Sequence, residues 1–502
     1  MKTDAERLLE FGKIAEILSG YAVTPRGKHK ARALRPMDDE DAIRLAVRET
    51  SEMVHALGNA FTLPLAPVED VSRHAERARA GGGPLEPAVL WKIAQCLDMA
   101  DRIAASLQRL GGRYPALVNL GYSIPQSPEL TPSIRSAIDP SGFVLDNATP
   151  ELKRIRNRIR TLRTRIEETL RRMVESSQIR PHLQYPNPTI FRDRYVLPVN
   201  AYRKQEVEGI VHGSSDSGAT LYIEPMRIID AGNELSEVIG EETDEVQRIL
   251  WQLTREVGLQ CEDVAAAVES VGTVDVLRAK AMISSAFSMC APAVGTAPVL
   301  DLHEAYHPLL LWLTRPSDSH APQKQDLDFD AVVPIDVHLG DDYRLLVITG
   351  PNTGGKTVAL KTVGLICLMA RAGMHVPAAH ATIPLYDAVY ADIGDEQSIE
   401  QSLSTFSSHM SRIIRLLDTA TSRSLVLLDE LGAGTDPAEG AALGEAVLNR
   451  LVRIGCSGVV VTHLGRLKTF AVSRPEVENA SVEFDSRTLR PTYRLEIGSA
   501  GS

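Results

Sequence analysis

"VITGPNTGGKTVALKTVG", residues Val347 to Gly364, decides how the rest of the chain is read. Within it Gly350, Pro351, Asn352, Thr353, Gly354, Gly355, Lys356 and Thr357 fit the pattern GxxxxGK[ST] throughout. Glycines at that spacing let consecutive backbone N–H groups turn towards phosphate oxygens, and a helix opening at the lysine aims its positive dipole end at the same anion. Lys356 is placed to neutralise β- and γ-phosphates, and the Thr357 hydroxyl to bind Mg²⁺. The flanks agree. An apolar strand, "RLLVIT", precedes the loop, and a helix, "KTVALKTVGLICLMARAG", follows it and stops at Gly373 with Pro377 beyond. ATP and Mg²⁺ are therefore the expected cofactors.

A second signal lies 73 residues after Lys356, where the apolar run "SLVLLDELGAGTD" ends in Asp429 and Glu430. An aspartate at a strand tip suits a metal-binding role beside Thr357, and the adjacent glutamate suits general-base activation of the attacking water. Apolar strands ending in two acids are common, and the pair gains meaning only beside the phosphate loop. A third strand, "GVVVTH", carries His463 at its carboxyl end, the edge at which open α/β sheets bind ligands. A lone histidine is more often structural, but this position fits a phosphate sensor. Short apolar strands alternating with helices from about residue 296 predict an α/β domain with a mainly parallel sheet.

The bulk composition sets limits. Over 502 residues the formal net charge is −11, so any nucleic-acid contact has to come from a local basic surface. The five cysteines are scattered with no CxxC pair, which offers neither a disulfide framework nor a zinc site and fits a reducing cytoplasm. No apolar run approaches the roughly 20 residues of a membrane span, and "MKTDAERLLEFGKIAEIL" reads as a charged amphipathic helix.

Three segments are expected along the chain: a helical core over 1–145, an arm over 146–295 with a β-rich insertion at 187–230, and the α/β domain over 296–502. In the arm, Leu152, Ile155, Ile159, Leu162, Ile166, Thr169 and Met173 alternate spacings of three and four, a heptad seam that predicts a long coiled-coil-like helix. Val246, Leu250, Leu253, Val257 and Val264 form a second candidate seam, able to pair antiparallel with the first. From Glu151 to Lys204 there are fourteen Lys and Arg against five Asp and Glu, a local excess of +9. That run reads either as a solvated helix face or as a phosphate-contacting surface, with Arg154, Arg158, Arg165 and Arg172 as the contact candidates.

In order, "GPNTGGKT", "DEQSIEQSLSTFSSHM", "LVLLDELGAGTDP" and "VVVTHLGRLK" resemble the MutS branch of the ABC-type ATPases. "LEFGKIAEILSGYAVTPRGK", "RDRYVLPVN" and "GIVHGSSDSGATLYIEP" resemble its bacterial type-two subfamily, so the likeness spans essentially the whole chain. It implies that the phosphate-loop residues bind ATP and Mg²⁺, that Asp429 and Glu430 serve metal and water, and that His463 is a switch histidine. Ser402, Ser404 and Thr405 would belong to a signature that reaches the nucleotide of a partner subunit, and "DIGDEQ" would couple nucleotide state to the rest of the molecule. Read from the residues alone, that Ser/Thr-rich stretch is only a turn and helix cap. A homodimer follows from the resemblance, as do paired helices acting as levers and clamp around structured or branched DNA, with recombination restrained as the outcome. The alternative it offers is an rRNA-contacting ATPase that separates stalled or collided ribosomes; a generic ABC-type or SMC-like protein would need a much longer coiled coil. None of the nine Phe residues is followed two positions later by Glu, so the mismatch-reading wedge of MutS is not expected. The subfamily continues into a linker and a small MutS-related nuclease domain, whereas this sequence stops at "YRLEIGSAGS", so nuclease activity is not expected from these residues.

Overall fold

The computed structural model describes residues 2–350, 355–394, 402–485 and 490–499. They form two compact units, each discontinuous in sequence: residues 1–69, 99–124 and 269–502 make the first, and residues 70–98 and 125–268 the second.

In the second unit the helix Pro150–Glu175 and the helix Met226–Leu259 flank four strands: β1 (Thr189–Phe191), β2 (Arg194–Asn200), β3 (Gly209–Ser214) and β4 (Thr220–Pro225). These form an antiparallel sheet of order β1-β2-β4-β3 inside the expected insertion, but the stretch after Pro225, expected as strand to residue 230, is already helix. The two helices run antiparallel. The Thr149 hydroxyl donates to Glu245 at 2.7 Å, Arg156 Nε to Glu242 at 2.8 Å and Arg158 Nη2 to Glu234 at 2.8 Å, so positions rise along one helix as they fall along the other. Thr149 also accepts the Leu152 N–H at 3.0 Å, capping the first helix.

One seam position differs from expectation. Leu152, Ile155, Ile159, Leu162 and Ile166 are buried as read, but the next buried residue is Leu170, and Thr169 is only half-buried. At 3.6 residues per turn a straight helix drifts against a strict seven-residue repeat, and a step of four restores contact with the partner. Here the seam also covers the inner face of the sheet, where Leu197, Val199 and Ile223 are buried against it. On the partner helix Leu250, Leu253 and Val257 are buried as expected and Val246 half so; the helix ends at Leu259, which leaves Val264 on the following helix, Cys261–Ala286.

Among its described residues the first unit carries ten strands: β5 (Ala293–Gly295), β6 (Leu300–Ala305), β7 (Ile335–Leu339), β8 (Leu345–Thr349), β9 (His380–Pro384), β10 (Val389–Asp392), β11 (Leu425–Leu428), β12 (Ser457–Val461), β13 (Val477–Asp485) and β14 (Arg490–Ile497). Six make one sheet of order β10-β11-β12-β8-β13-β14, parallel except for β14, and four make a second of order β5-β9-β6-β7. Every residue of β8, β11 and β12 is buried, as expected for parallel strands covered on both faces by crossover helices. The helix Lys356–Arg371 follows β8 and shares one core with the N-terminal helices through Leu9, Phe11, Ile14 and Leu18. Gly364 permits that approach: a β-carbon there would come within 2.7 Å of Leu9 Cδ2 and 2.5 Å of Leu427 Cδ1.

The far end of that helix is held by residues distant in sequence. Thr50 Oγ1 donates to the Gly373 carbonyl at 2.7 Å and Lys280 Nζ to the Ala372 carbonyl at 2.6 Å, while Arg371 Nε donates to the Met37 carbonyl at 3.0 Å. Lys280 is buried, its pKa pushed down to about 8 by that burial against the opposing pull of Glu49. A cation among the last carbonyls of a helix also meets the negative end of its dipole. Among the described residues no helix is long and apolar enough to cross a membrane.

Candidate nucleotide-binding site

Strand β8 delivers the phosphate loop from the middle of its sheet, between β12 and β13. Gly350 has φ 133° and Gly355 φ 88°; the second caps the helix Lys356–Arg371 in the left-handed region, where a side chain would be strained. A β-carbon at Gly355 would also lie 2.9 Å from Tyr493 Cδ1 on β14. Pro351, Asn352, Thr353 and Gly354 lie outside the described residues.

Lys356 is buried and its Nζ donates to the Gly350 carbonyl. Burial lowers its pKa, opposed by the charges of Asp429 and Glu430. Thr357 Oγ1 donates to Asp429 Oδ2 at 2.7 Å, which brings together the two residues expected to share a metal. Burial raises the Asp429 pKa, while the Thr357 hydroxyl, the Glu430 N–H at 3.1 Å and Lys356 favour its ionised form. These are hard oxygen donors of the type Mg²⁺ takes, so the residues present fit that ion.

Glu430 follows with φ 51°, an uncommon value for a non-glycine residue and of a kind that gathers at functional sites. The next residue is fixed from two sides: Leu431 N donates to the Val461 carbonyl at 3.0 Å, and Thr462 Oγ1 donates to the Leu431 carbonyl at 3.0 Å. The turn carrying Glu430 is thereby tied to the end of β12. His463, exposed just beyond β12, stands at the same carboxyl edge of the sheet. Ser402, Ser404 and Thr405 open the helix Ser402–Thr419; their side chains lie outside the described residues.

Two features were not singled out from sequence. Asp392, buried at the tip of β10, hydrogen-bonds His409 Nδ1 at 2.8 Å and forms an ion pair with Arg412, Nε at 2.7 Å, both from the helix Ser402–Thr419, and its backbone carbonyl accepts the Asp429 N–H at 2.8 Å. It joins the expected signature helix to the strand end that bears Asp429. The spacing of three between His409 and Arg412 is not itself distinctive, and only the fold reveals their common target. Tyr493 is the other, brought against Gly355 by the β13–β14 hairpin with no local signal.

In the second unit the four arginine candidates have unequal surroundings. Arg154 makes two bonds to Glu151, at 3.0 and 2.6 Å, and Arg158 two to Glu234, at 3.1 and 2.8 Å. Neighbouring Arg156 pairs with Asp146 and Glu242, and Arg160 with Asp146. Arg165 and Arg172 are exposed, and Arg172 Nε donates to the Glu168 carbonyl at 3.3 Å. The local excess of +9 is thus partly neutralised by acids from the antiparallel helix.

Strand β8, the helix Lys356–Arg371 that follows its motif and the acid-tipped β11 two strands away share one parallel sheet edge, and residues 346–501 match the family model described as MutS domain V. Over its whole length the chain is similar to proteins named Endonuclease MutS2. It is 42% identical over 503 residues to that of Pelotomaculum thermopropionicum, covering 100% of this chain and 62% of the relative. It is 43% identical over 497 residues to that of Symbiobacterium thermophilum, covering 99% and 60%, and 42% identical over 498 residues to that of Geobacillus thermodenitrificans, covering 99% and 61%. The chain therefore spans about three fifths of the length of these curated relatives.

Proposed function

We propose that the protein is an ATP-hydrolysing, dimeric clamp of the MutS type that binds branched or structured DNA and restrains recombination. The observation that carries the ATPase part is the 2.7 Å contact between Thr357 and Asp429, with Lys356 buried beside them. Thr357 and Asp429 would hold Mg²⁺, which when bound supplies charge neutralisation to the phosphates. Lys356 exchanges the Gly350 carbonyl for phosphate oxygens, and Glu430 takes a proton from water. His463 senses the γ-phosphate at the sheet edge. Ser402, Ser404 and Thr405 complete the site of a second copy, which makes the homodimer a requirement for turnover. The DNA part rests on the MutS domain V match, on the names of the relatives and on the arginines of the second unit.

Glu430→Gln is expected to retain ATP binding and to lower phosphate release by about 10²- to 10⁴-fold, the usual contribution of a general base. An unchanged turnover rate removes Glu430 from that role. Nucleic acid recovered with the ATP-trapped Glu430→Gln protein identifies the ligand: branched DNA preferred over linear duplex supports the clamp, equal affinity for both ends the preference, and rRNA in place of DNA moves the reading to the ribosome.

A further inference from the structure

The turn between β2 and β3 carries an aromatic side chain with almost no protein around it. Tyr202 is 94% exposed, on the short 3₁₀ helix Ala201–Glu206. Its backbone, by contrast, is fixed. Asn200 Oδ1 accepts the Tyr202 N–H at 3.0 Å, Asn200 Nδ2 donates to Gln184 Oε1 at 3.2 Å, and the Ala201 N–H donates to the Ala219 carbonyl at 3.0 Å. A large ring held in water on a braced turn leaves unsatisfied apolar area at a defined place, and little ordering cost remains when something covers it. The charge around it selects the kind of partner. Arg203 and Lys204 follow on the same turn, both exposed, and Arg180 lies on the 3₁₀ turn Arg180–His182 packed beside it; Glu206 ends the turn.

We infer that Tyr202 is a stacking platform for an unpaired nucleobase, with Arg203, Lys204 and Arg180 gripping the adjoining phosphates. This rests on the DNA-clamp reading and sharpens it, because it locates base contact on the β2–β3 turn and assigns the preferred substrate a single-stranded element. A flat ring flanked by cations serves any base, which gives selectivity for strand state without selectivity for sequence.

The test compares a duplex carrying a single-stranded tail with a blunt duplex, using the whole chain and its Tyr202→Ala, Tyr202→Trp and Arg203→Ala/Lys204→Ala variants. Tyr202→Ala is expected to weaken tailed-duplex binding about tenfold, within the range of one lost base–aromatic stack, while blunt-duplex binding and the dependence of affinity on salt stay as in the native protein. Tyr202→Trp should bind like the native protein. The double variant should flatten the salt dependence, because phosphate contacts release counterions and stacking does not. A 2-aminopurine in the tail should be quenched by the native protein and not by Tyr202→Ala. Equal affinity and equal quenching for native protein and Tyr202→Ala overturn the stacking role while leaving the clamp standing. If the native protein binds neither probe, the clamp reading itself fails and the stacking role falls with it.

Discussion

The Asp429 carboxylate is buried and shares its oxygens between the Thr357 hydroxyl and the Glu430 N–H. Thr357→Val keeps the shape and removes the donor, leaving a buried acceptor short of a partner. Such a loss costs about 1–3 kcal/mol, so urea unfolding of the nucleotide-free variant should show a decrease of that size, and the extra thermal stabilisation that Mg²⁺ gives in the presence of ATP should disappear. A second prediction concerns acid. His375 bonds Ser51 at 2.9 Å and Ser284 at 2.8 Å, and burial pushes its pKa down to about 4, as it does for His307. Each is neutral in the folded state and gains a proton more readily when unfolded. Their contribution is therefore present above pH 6.5 and lost as the pH falls towards 4, at up to about 3 kcal/mol per group. His375→Gln should make the fall in unfolding free energy between pH 7 and pH 5 shallower than in the native protein. At this scale the sequence is most legible where a motif fixes spacing: it singles out Lys356, Thr357, Asp429 and Glu430, and the fold brings Thr357 within 2.7 Å of Asp429. It does not single out Asp392 and Tyr493, because their importance comes from contacts with residues 17 or more positions away that only folding supplies.

Elements were legible where periodicity was strong. The helix Pro150–Glu175 and the strand and helix on either side of the loop at 351–354 lie where apolar spacing puts them, while the insertion turns helical after Pro225 and the heptad seam misses at Thr169 alone, Met173 being buried as read. Leu170, not Thr169, faces the partner helix and sheet, because packing against two neighbours follows the real pitch of the helix and not an ideal seven-residue repeat. Leu170→Ala should therefore cost about 2–5 kcal/mol, the range for truncating a buried leucine, whereas Thr169→Ala should change the unfolding free energy by less than about 0.5 kcal/mol, as is usual at surface positions. Equal effects at the two sites would restore the strict heptad. The charge of this element was misleading for a related reason. A count along one helix omits the acids of its antiparallel neighbour, and Glu234 and Glu242 come from 76 and 86 residues beyond the arginines they pair with.

Over the whole molecule, linear texture suggested three successive segments, whereas packing assembles two units from interrupted stretches of chain. Short-range periodicity carries no information about which distant segments share a core, so this grouping had no signal to read. The arginines provide a prediction at this scale. If DNA runs along the helix Pro150–Glu175, neutralising Arg165 and Arg172 together should reduce both the affinity and its salt dependence, while neutralising Arg154 and Arg158 should do less, since ion pairs already occupy them. Binding isotherms at several salt concentrations separate the two pairs, and a larger effect from Arg154 and Arg158 would contradict the expectation. The anchored far end of the helix Lys356–Arg371 has a practical consequence for dissecting the protein. Its last carbonyls are held by Thr50 and Lys280, its Arg371 by Met37, and its middle rests on Leu9. A fragment cut at residue 296 to isolate the α/β domain would discard all four supports, exposing bare helix-end carbonyls and an uncovered apolar strip. The first fifty residues and the helix bearing Lys280 serve the α/β domain as a built-in companion chain, and an autonomous version would need both supplied in trans or grafted back.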